Sequence, residues 1–458
     1  MREELLAIVN TDLILRYRVL PLAKQGSTLT LGIVDPTDQA AVNAIVFHTG
    51  LRVMPVLISD QQLNEFIETY CRETVLNHDE PLIKFVDNII YHAIQKSASD
   101  IHIEPYENEC RIRYRQDGVL YEISSINSAL AARLIARLKV MAQLNIAERR
   151  LPQDGRFQLQ QKNHPVNIRI NTCPTLFGEK IVLRILDGRN TTLAIDGLGF
   201  TLSQKKIFVQ KISEPQGLVL VTGPTGSGKT LTLYSALNYL NTPGKNISTV
   251  EDPVEIQLAG INQVNVQPKI GLDFATTLRT FLRQDPDIIM LGEIRDHDSA
   301  IIAMQAAQTG HLVLSTVHTN SAMETLSRLA AMGVAAYDLV NSVSLIIAQR
   351  LIRKLCPHCK IPENQPAEFS ADTTVYRARG CTQCLHGYQG RTGIYEVLAM
   401  TDELAAMIVA QKNNVVLHGY LEQQGFVTLQ KSALALLRQG ITSLSEIDRV
   451  IRNNNACV

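Results

Sequence analysis

An eight-residue loop, Gly223-Pro-Thr-Gly-Ser-Gly-Lys-Thr230, carries the clearest chemical signal in this 458-residue sequence. It matches the pattern G-x-x-x-x-G-K-[ST], in which glycines let backbone N–H groups close around phosphate oxygens. In this pattern Lys229 reaches the β- and γ-phosphates of a nucleotide, and the Thr230 hydroxyl ligates Mg²⁺. We therefore expect ATP and Mg²⁺ to bind here. The predicted binding residues are Gly223, Pro224, Thr225, Gly226, Ser227, Gly228, Lys229 and Thr230.

Two acidic residues follow short apolar runs that predict buried strands. Glu251 comes after residues 247–250, and Glu293 comes after residues 288–291 and a glycine. The carboxyl ends of parallel strands meet at one edge of a sheet, so we expect both carboxylates there, with Glu251 beside the phosphate loop. Glu255 is a weaker rival of Glu251. Gly292 is unexpected, because nucleotide-hydrolysing sites usually carry Asp before this Glu.

Two histidines bracket a further predicted strand, from His311 to His318. At the end of this strand, His318 is a candidate sensor of the γ-phosphate. His311, at its start, is a second candidate. Either residue could equally be a structural histidine.

Four of the eight cysteines form two C-x-x-C units, Cys356-Pro-His-Cys359 and Cys381-Thr-Gln-Cys384. This spacing predicts a closed, tetrahedral Zn²⁺ site of structural type, with Cys356, Cys359, Cys381 and Cys384 as ligands. The segment between the two units is polar and lacks a core, so the metal would stabilise its fold. The alternatives are a redox or disulfide pair, or the replacement of one thiol by His358 or His386.

The elements that must position these residues form successive predicted domains. Apolar strands alternate with amphipathic helices over residues 196–350, which predicts a parallel sheet carrying the phosphate loop. We predict a small α/β domain at 1–75, a linker at 76–82, an α+β domain at 83–195, the core at 196–350, a cysteine-bearing insertion at 351–395 and a helical region at 396–458.

Composition excludes some classes of function. Lys+Arg and Asp+Glu number 44 each and the chain has no Trp, which disfavours a nucleic-acid partner. No apolar run approaches the length of about 18–20 residues that a membrane span requires. The scattered and paired cysteines fit a reducing compartment.

Four segments in order resemble the Walker A motif, Asp box, Walker B motif and His box of the secretion-ATPase superfamily. They are residues 223–230, 249–255, 282–296 and 309–320. In that family Gly precedes the Walker B glutamate, as Gly292 does here. The resemblance implies that Glu251 orients the attacking water. It implies that Glu293 holds Mg²⁺ through water or positions the nucleophile.

The resemblance also implies an architecture. It is an α/β chain with a RecA-like P-loop NTPase core, a preceding α+β (PAS-like) domain, a small α/β domain at the extreme N-terminus and a zinc-binding helical C-terminal region. Residues 98–105, 151–157 and 171–186 resemble the family domain that swings over the nucleotide and presents arginines. The implied arginines are Arg156, Arg169 and Arg184, although Arg184 could instead brace a strand. Another alternating strand carries Arg111, Arg113 and Arg115, which we expect on a solvated or interface face.

Members of this superfamily are hexameric motors for type IV pilus assembly or type II secretion. The resemblance implies a homo-hexamer, cytoplasmic and peripheral at the inner membrane, that docks through its N-terminal domain onto a platform protein and associated cytoplasmic components. We expect a pilus assembly motor, with type II secretion as the alternative. The half of the docking domain that binds cyclic dinucleotides in some relatives is expected to be missing. A RecA-like nucleic-acid translocase and a non-hydrolysing adaptor are the more distant alternatives.

Overall fold

The computed structural model describes residues 5, 8–9, 13–14, 17–35, 39–70, 79–161, 164–186, 193–363 and 374–451. The chain divides into two compact units, Met1–Asp187 and Gly188–Val458. Residues 76–78 of the predicted linker lie outside the described residues, and the next helix begins at Asp79.

The described residues of the first unit form two sheets. Its strands are β1 (Val19–Gln25), β2 (Thr28–Ile33), β3 (Arg52–Leu57), β4 (Asp100–Pro105), β5 (Glu109–Gln116), β6 (Val119–Asn127), β7 (Gln153–Gln161), β8 (His164–Thr175) and β9 (Gly178–Leu186). Its helices are α1 (Gln39–Thr49), α2 (Asp60–Tyr70), α3 (Asp79–Gln95) and α4 (Ser128–Met141). The first three strands form a small sheet in sequence order, with β1 and β2 antiparallel and β2 and β3 parallel.

The larger sheet of this unit has the order β6-β5-β4-β9-β8-β7 and is antiparallel throughout. Apolar residues alternate along its strands, so one face buries side chains such as Ile101, Ile112 and Ile170 against helices α3 and α4. The residues between them place polar and charged side chains on the opposite face. This is the predicted α+β arrangement.

The second unit is built on a seven-stranded sheet. Its strands are β10 (Gly217–Thr222), β11 (Ile247–Glu251), β12 (Asn262–Asn265), β13 (Ile288–Leu291), β14 (Leu312–Val317), β15 (Val343–Leu355), β16 (Ile361–Glu363), β17 (Val375–Arg377) and β18 (Tyr388–Ala399). Its helices are α5 (Leu202–Ile212), α6 (Lys229–Leu240), α7 (Phe274–Phe281), α8 (His297–Gln308), α9 (Ala322–Ala331), α10 (Ala336–Ser342), α11 (Asp402–Val409), α12 (Asn414–Gln423), α13 (Leu429–Arg438) and α14 (Leu444–Ile451). Short 3₁₀ helices occupy Ile195–Leu198 and Pro268–Ile270.

The order of the large sheet is β12-β11-β13-β14-β10-β15-β18, parallel except for β18, which pairs antiparallel with β15. Every residue of β10, β13 and β14 is buried, as expected for parallel strands covered by helices on both faces. In the register of β10 and β14, Thr222 pairs with Val317, so Gly223 and His318 leave the sheet at the same edge.

The central sheet extends further along the sequence than the predicted core. Strand β15 continues to Leu355, and its partner β18 begins at Tyr388, so both ends of the predicted 351–395 insertion belong to this sheet. The C-terminal helix α14 is joined to β15 by a fully buried carboxylate, Glu446, which accepts hydrogen bonds from Arg353 and Arg449. Burial opposes ionisation of Glu446, but the two guanidinium groups hold its pKa below the ordinary value.

Candidate functional site

The loop between β10 and α6 has the backbone geometry that closely approaching phosphates require. Gly223, Gly226 and Gly228 adopt φ angles of 150°, 79° and 89°, which side-chain-bearing residues rarely adopt. A Cβ at Gly223 would also lie 2.5 Å from the carbonyl oxygen of Gln349. The loop opens directly into helix α6, whose first N–H groups point at a ligand placed there.

Lys229, the first residue of α6, is 9% exposed, and its Nζ donates to the carbonyl oxygens of Gly223 (2.8 Å) and Pro224 (3.1 Å). Burial lowers the pKa of Lys229 to about 8; the charge of Glu293 opposes this shift and that of Arg350 adds to it. The neighbouring Thr230 is exposed, so its hydroxyl is accessible to a cation. Lys229 and Thr230 thus have the placement that the motif predicts.

Glu293 follows β13, two places from β10 in the sheet, and its carboxylate is 15% exposed. It forms an ion pair with Arg295 and lies 3.4 Å from Nε2 of His318. Close packing explains why the preceding residue, Gly292, is a glycine. A Cβ there would lie 3.2 Å from the carbonyl oxygen of Val250 and 3.4 Å from Cα of Glu251. An aspartate in this position would press on the backbone of the adjacent strand.

The two histidines lie at opposite ends of strand β14. His318 is half exposed beside Glu293, and burial together with the charge of Lys229 lowers its pKa. His311 lies at the other end of β14, where its carbonyl accepts from Gly217 N and its Nδ1 lies 3.0 Å from the carbonyl oxygen of Ala306. Seven residues of extended chain span about 23 Å, so the prediction that His311 senses phosphate is wrong.

Glu251 lies at the predicted edge of the sheet, but the prediction that its strand lies beside the phosphate-loop strand is wrong. Two strands, β13 and β14, lie between β11 and β10, which separates the strand ends by about 14 Å. Glu251 is the last residue of β11 and is buried. Its Oε1 accepts from Thr249 (2.7 Å) and Gln263 (3.2 Å), and its Oε2 accepts from the phenol of Tyr234 on α6.

Sequence reasoning missed a buried arginine beside the loop. Arg350 lies on β15, two residues past the partner of Thr222, and is 4% exposed. Its guanidinium donates to the Asn320 backbone and side-chain oxygens, both at 3.0 Å, and burial lowers its pKa. A Cβ on Gly223 would lie 3.2 Å from its Nη1. The sequence signal is the polar pair Gln349-Arg350 between the apolar residues 345–348 and 351–352 of this strand.

A buried hydroxyl cluster, also missed, ties the loop to the segment after β14. The side chain of Thr222, the last residue before the loop, donates to the carbonyl oxygen of Val317 (2.8 Å) and accepts from Thr319 N (2.9 Å). The Thr319 hydroxyl is in turn hydrogen-bonded to the hydroxyl of Thr325 on α9, at 2.7 Å. Thr222 reads in the sequence as an ordinary strand residue, so only the pairing of β10 with β14 reveals this link.

In the first unit, the three predicted arginines form one row across adjacent strands. Arg156 pairs in register with Arg169, and Arg169 with Arg184, on the polar face of the sheet. Arg184 donates through Nε to Asp100 on β4 at 3.0 Å while remaining half exposed. Arg184 therefore braces strand β4, and its guanidinium is still half exposed.

The three arginines of strand β5 lie on the same polar face of the sheet. Arg111 and Arg113 both contact the buried carboxylate of Glu104, and Arg115 lies 3.6 Å from Asp100. Burial opposes ionisation of Glu104, but hydrogen bonds from Arg113 and Lys180 lower its pKa to about 2. These arginines are thus partly engaged in ion pairs within the sheet.

The four predicted cysteine ligands lie together, with all Sγ atoms within 4.8 Å of one another. Sγ separations are 3.9 Å for Cys356 and Cys381, 3.6 Å for Cys359 and Cys384, and 3.6 Å for Cys381 and Cys384. Sulfurs about 2.3 Å from a tetrahedral zinc would be about 3.8 Å apart, so the cluster fits Zn²⁺. None of these cysteines is in a disulfide, and no histidine belongs to the cluster among the described residues.

None of the described helices combines the length and the apolar character needed to cross a membrane.

Comparison with known proteins identifies the family. Residues 75–449 match the model of the type II/IV secretion system protein family, and residues 1–75 match the MshEN domain. The chain is 46% identical to a type IV pilus assembly ATPase PilB of Acinetobacter baylyi over 96% of this chain and 83% of that protein. It is 40% identical to a type II secretion system protein E of Xanthomonas campestris, over 95% and 83% of the two chains.

Among solved structures, the Legionella pneumophila ATPase DotB matches with a TM-score of 0.60 and 23% identity, covering 82% of this chain and 96% of DotB. The pilus retraction motor PilT with bound ADP matches with a TM-score of 0.54 and 25% identity, covering 78% and 94%. The fold of the second unit is accordingly the predicted RecA-like P-loop core. From its motifs, its fold and these matches, the chain belongs to the type II/IV secretion system protein family.

Proposed function

We propose that this chain is an ATP-hydrolysing motor for type IV pilus assembly. The observation that carries the proposal is the meeting of Lys229, Glu293 and His318 at the edge of the sheet where the phosphate loop begins. Two relatives named as pilus assembly ATPases are 46% identical over 96% and 97% of this chain, whereas a Klebsiella pneumoniae type II secretion system protein E reaches 46% over 81% of it, and this longer match favours assembly over secretion. Type II protein secretion is the second candidate.

In this proposal the loop N–H groups and Lys229 bind the phosphates, and the Thr230 hydroxyl holds Mg²⁺. The cation neutralises charge on the phosphates when bound. Glu293 would hold the cation through water, and Glu251, at the end of β11 next to β13, would orient the attacking water. Because phosphoryl transfer depends mainly on positioning and electrostatic stabilisation, these groups suffice when further positive charge is supplied at the γ-phosphate.

We assign that further charge to the row Arg156, Arg169 and Arg184, with His318 as the γ-phosphate sensor. The row lies in register across three adjacent antiparallel strands, and Asp100 fixes the Nε of Arg184, which supports the assignment. Closure of the arginine-bearing domain on ATP and its release after hydrolysis would give a hinge cycle.

The remaining assignments follow the family. Residues 1–75, matching the MshEN domain, form a docking domain for an inner-membrane platform protein and associated components. The arginine-bearing domain follows, and then the core. Six copies form the working ring, in the cytoplasm and peripheral at the inner membrane. The four cysteines would hold Zn²⁺, which would stabilise the segment between β15 and β18.

The test is a chromosomal Lys229→Ala variant in the native host, scored for surface pili and for secreted proteins. Loss of pili with normal secretion supports the pilus motor, and the reverse outcome supports the secretion motor. A purified protein whose ATP turnover rises severalfold with single-stranded DNA would instead favour a translocase.

A further inference from the structure

Tyr234 on helix α6 is fully buried, and its hydroxyl lies against the acidic turn that follows β11. The phenol donates to Oε2 of Glu251 and accepts from the backbone N–H of Glu255 at 3.3 Å. One side chain therefore contacts both ends of the turn from 251 to 255. The ring itself packs in the apolar core between α6 and the sheet, where Phe would serve as well.

A buried hydroxyl carries a desolvation cost that packing does not require. Here it is offset by two hydrogen bonds, both to the same turn. Burial, with the adjacent charge of Glu251, raises the pKa of Tyr234, so the phenol keeps its proton and remains a donor to the carboxylate.

The position of Tyr234 in α6 connects its hydrogen bond with Glu251 to the start of the helix, where the phosphate loop ends. Tyr234 follows Thr230 by four residues, so the two side chains lie on one face of α6, one turn or about 6 Å apart. Strand β11 itself is separated from β10 by β13 and β14, so no ladder hydrogen bonds join Glu251 to the phosphate-loop strand. The phenol supplies a direct link between the helix that begins at the phosphates and the carboxylate.

We propose that Tyr234 is a positioning residue for ATP hydrolysis, which fixes the Glu251 carboxylate relative to the phosphate-loop helix. The proposal rests on the proposed function, in which Glu251 orients the attacking water. With Oε2 held by the phenol and Oε1 held by Thr249 and Gln263, the carboxylate has one defined orientation. Loss of the phenol hydroxyl leaves Oε2 without its donor and frees the turn to move relative to α6.

The test is a double-mutant cycle in ATP turnover with Tyr234→Phe, Glu251→Gln and the double variant of the full chain. We expect Tyr234→Phe to lower kcat about tenfold, or about 1.4 kcal/mol, with KM for ATP and ADP affinity changed less than about twofold. In the Glu251→Gln background the same substitution should change kcat less than about twofold. Tyr239→Phe, on the exposed side of the same helix, is the matched control and should behave as wild type.

A merely structural role for Tyr234 would lower the melting temperature and affect both backgrounds equally. An equal reduction of kcat in the wild-type and Glu251→Gln backgrounds therefore overturns the proposal, as does an unchanged kcat in Tyr234→Phe. If Glu251→Gln alone leaves kcat unchanged, the water-orienting role assigned to Glu251 is what fails. The proposed function as a whole fails separately, if Lys229→Ala retains turnover.

Discussion

The lowered pKa of Lys229 predicts that the protein takes up protons when it binds a nucleotide. The protein groups around its ammonium, above all its burial, place its pKa at about 8 instead of 10.5. At pH 8 about half of the protein molecules carry a neutral Lys229, and at pH 7 about one tenth do. Bound phosphates favour the charged form, because an opposite charge within a few ångströms raises the pKa of a base.

ADP binding at pH 8 should therefore take up about 0.5 proton per site, compared with about 0.1 at pH 7. The sign follows from the direction of the shift: below pH 8 Lys229 is already charged, and above it binding must add the proton. Affinity for ADP should accordingly fall as pH rises above 8, by up to about tenfold per pH unit.

Isothermal titration calorimetry in two buffers of different ionisation enthalpy measures the uptake. ADP in buffers without added Mg²⁺ excludes both hydrolysis and magnesium binding and leaves the proposed zinc site undisturbed. Phosphate groups titrate near pH 6, and the pKa of His318 is lowered below 6.5, so neither contributes at pH 8. Lys229→Arg, whose guanidinium stays charged, is the control and should show no uptake. Uptake below about 0.1 proton at pH 8, or equal uptake by the arginine variant, would refute the reasoning.

Three further predictions concern other parts of the chain. Purified protein should carry about one zinc per chain by elemental analysis, and Cys381→Ser should lose it; a fully folded, metal-free wild type would remove the zinc assignment. Arg169→Ala should reduce ATP turnover by at least about tenfold while ADP affinity changes little, and an equal loss of both would count against its role at the γ-phosphate. Glu104→Gln should lower the melting temperature at pH 7 by several degrees, because three cations, Arg111, Arg113 and Lys180, lose their buried partner. Since the pKa of Glu104 is depressed to about 2, its stabilisation is present above about pH 4.5 and is lost as pH falls toward 2. The difference in melting temperature between the two proteins should shrink over that range, and equal melting at pH 7 would contradict the ion-pair account.

The sequence predicted the phosphate loop well because its signal is local. Glycines at fixed positions, an apolar strand before them and a helix after them determine the loop without reference to the rest of the chain. The strand Ile288–Leu291 was likewise predicted with the bounds that the structure shows. The cysteine cluster was predictable from its spacing, since two C-x-x-C units need only approach each other.

Properties that depend on strand order were not predictable. Nothing in residues 247–251 indicates that β13 and β14 lie between this strand and β10, so Glu251 was placed too close to the loop. For His311 the sequence does contain the information, because the start of a strand parallel to β10 must lie at the edge opposite to the phosphate loop. The row of arginines depends on register across three strands, which sequence alternation alone leaves open.

The side chains that connect the site were missed for another reason. Tyr234 and Thr222 lie in segments whose sequences resemble ordinary buried helix and strand. The hydrogen-bond partners of their hydroxyls, Glu251 and Val317, lie on other strands and can be identified only from the folded sheet. A tyrosine four residues after the Thr of a phosphate loop is a usable signal, because both side chains then share a helix face.

The central claim is that Glu293, at the edge shared with the phosphate loop, acts in ATP hydrolysis by this fold. Steady-state ATP turnover by Glu293→Gln, at a nucleotide concentration shown by direct binding to saturate the protein, tests it most directly. Turnover by this variant should fall by at least about a hundredfold, while its ADP affinity and melting temperature stay near those of wild type. Turnover within about twofold of wild type would contradict it.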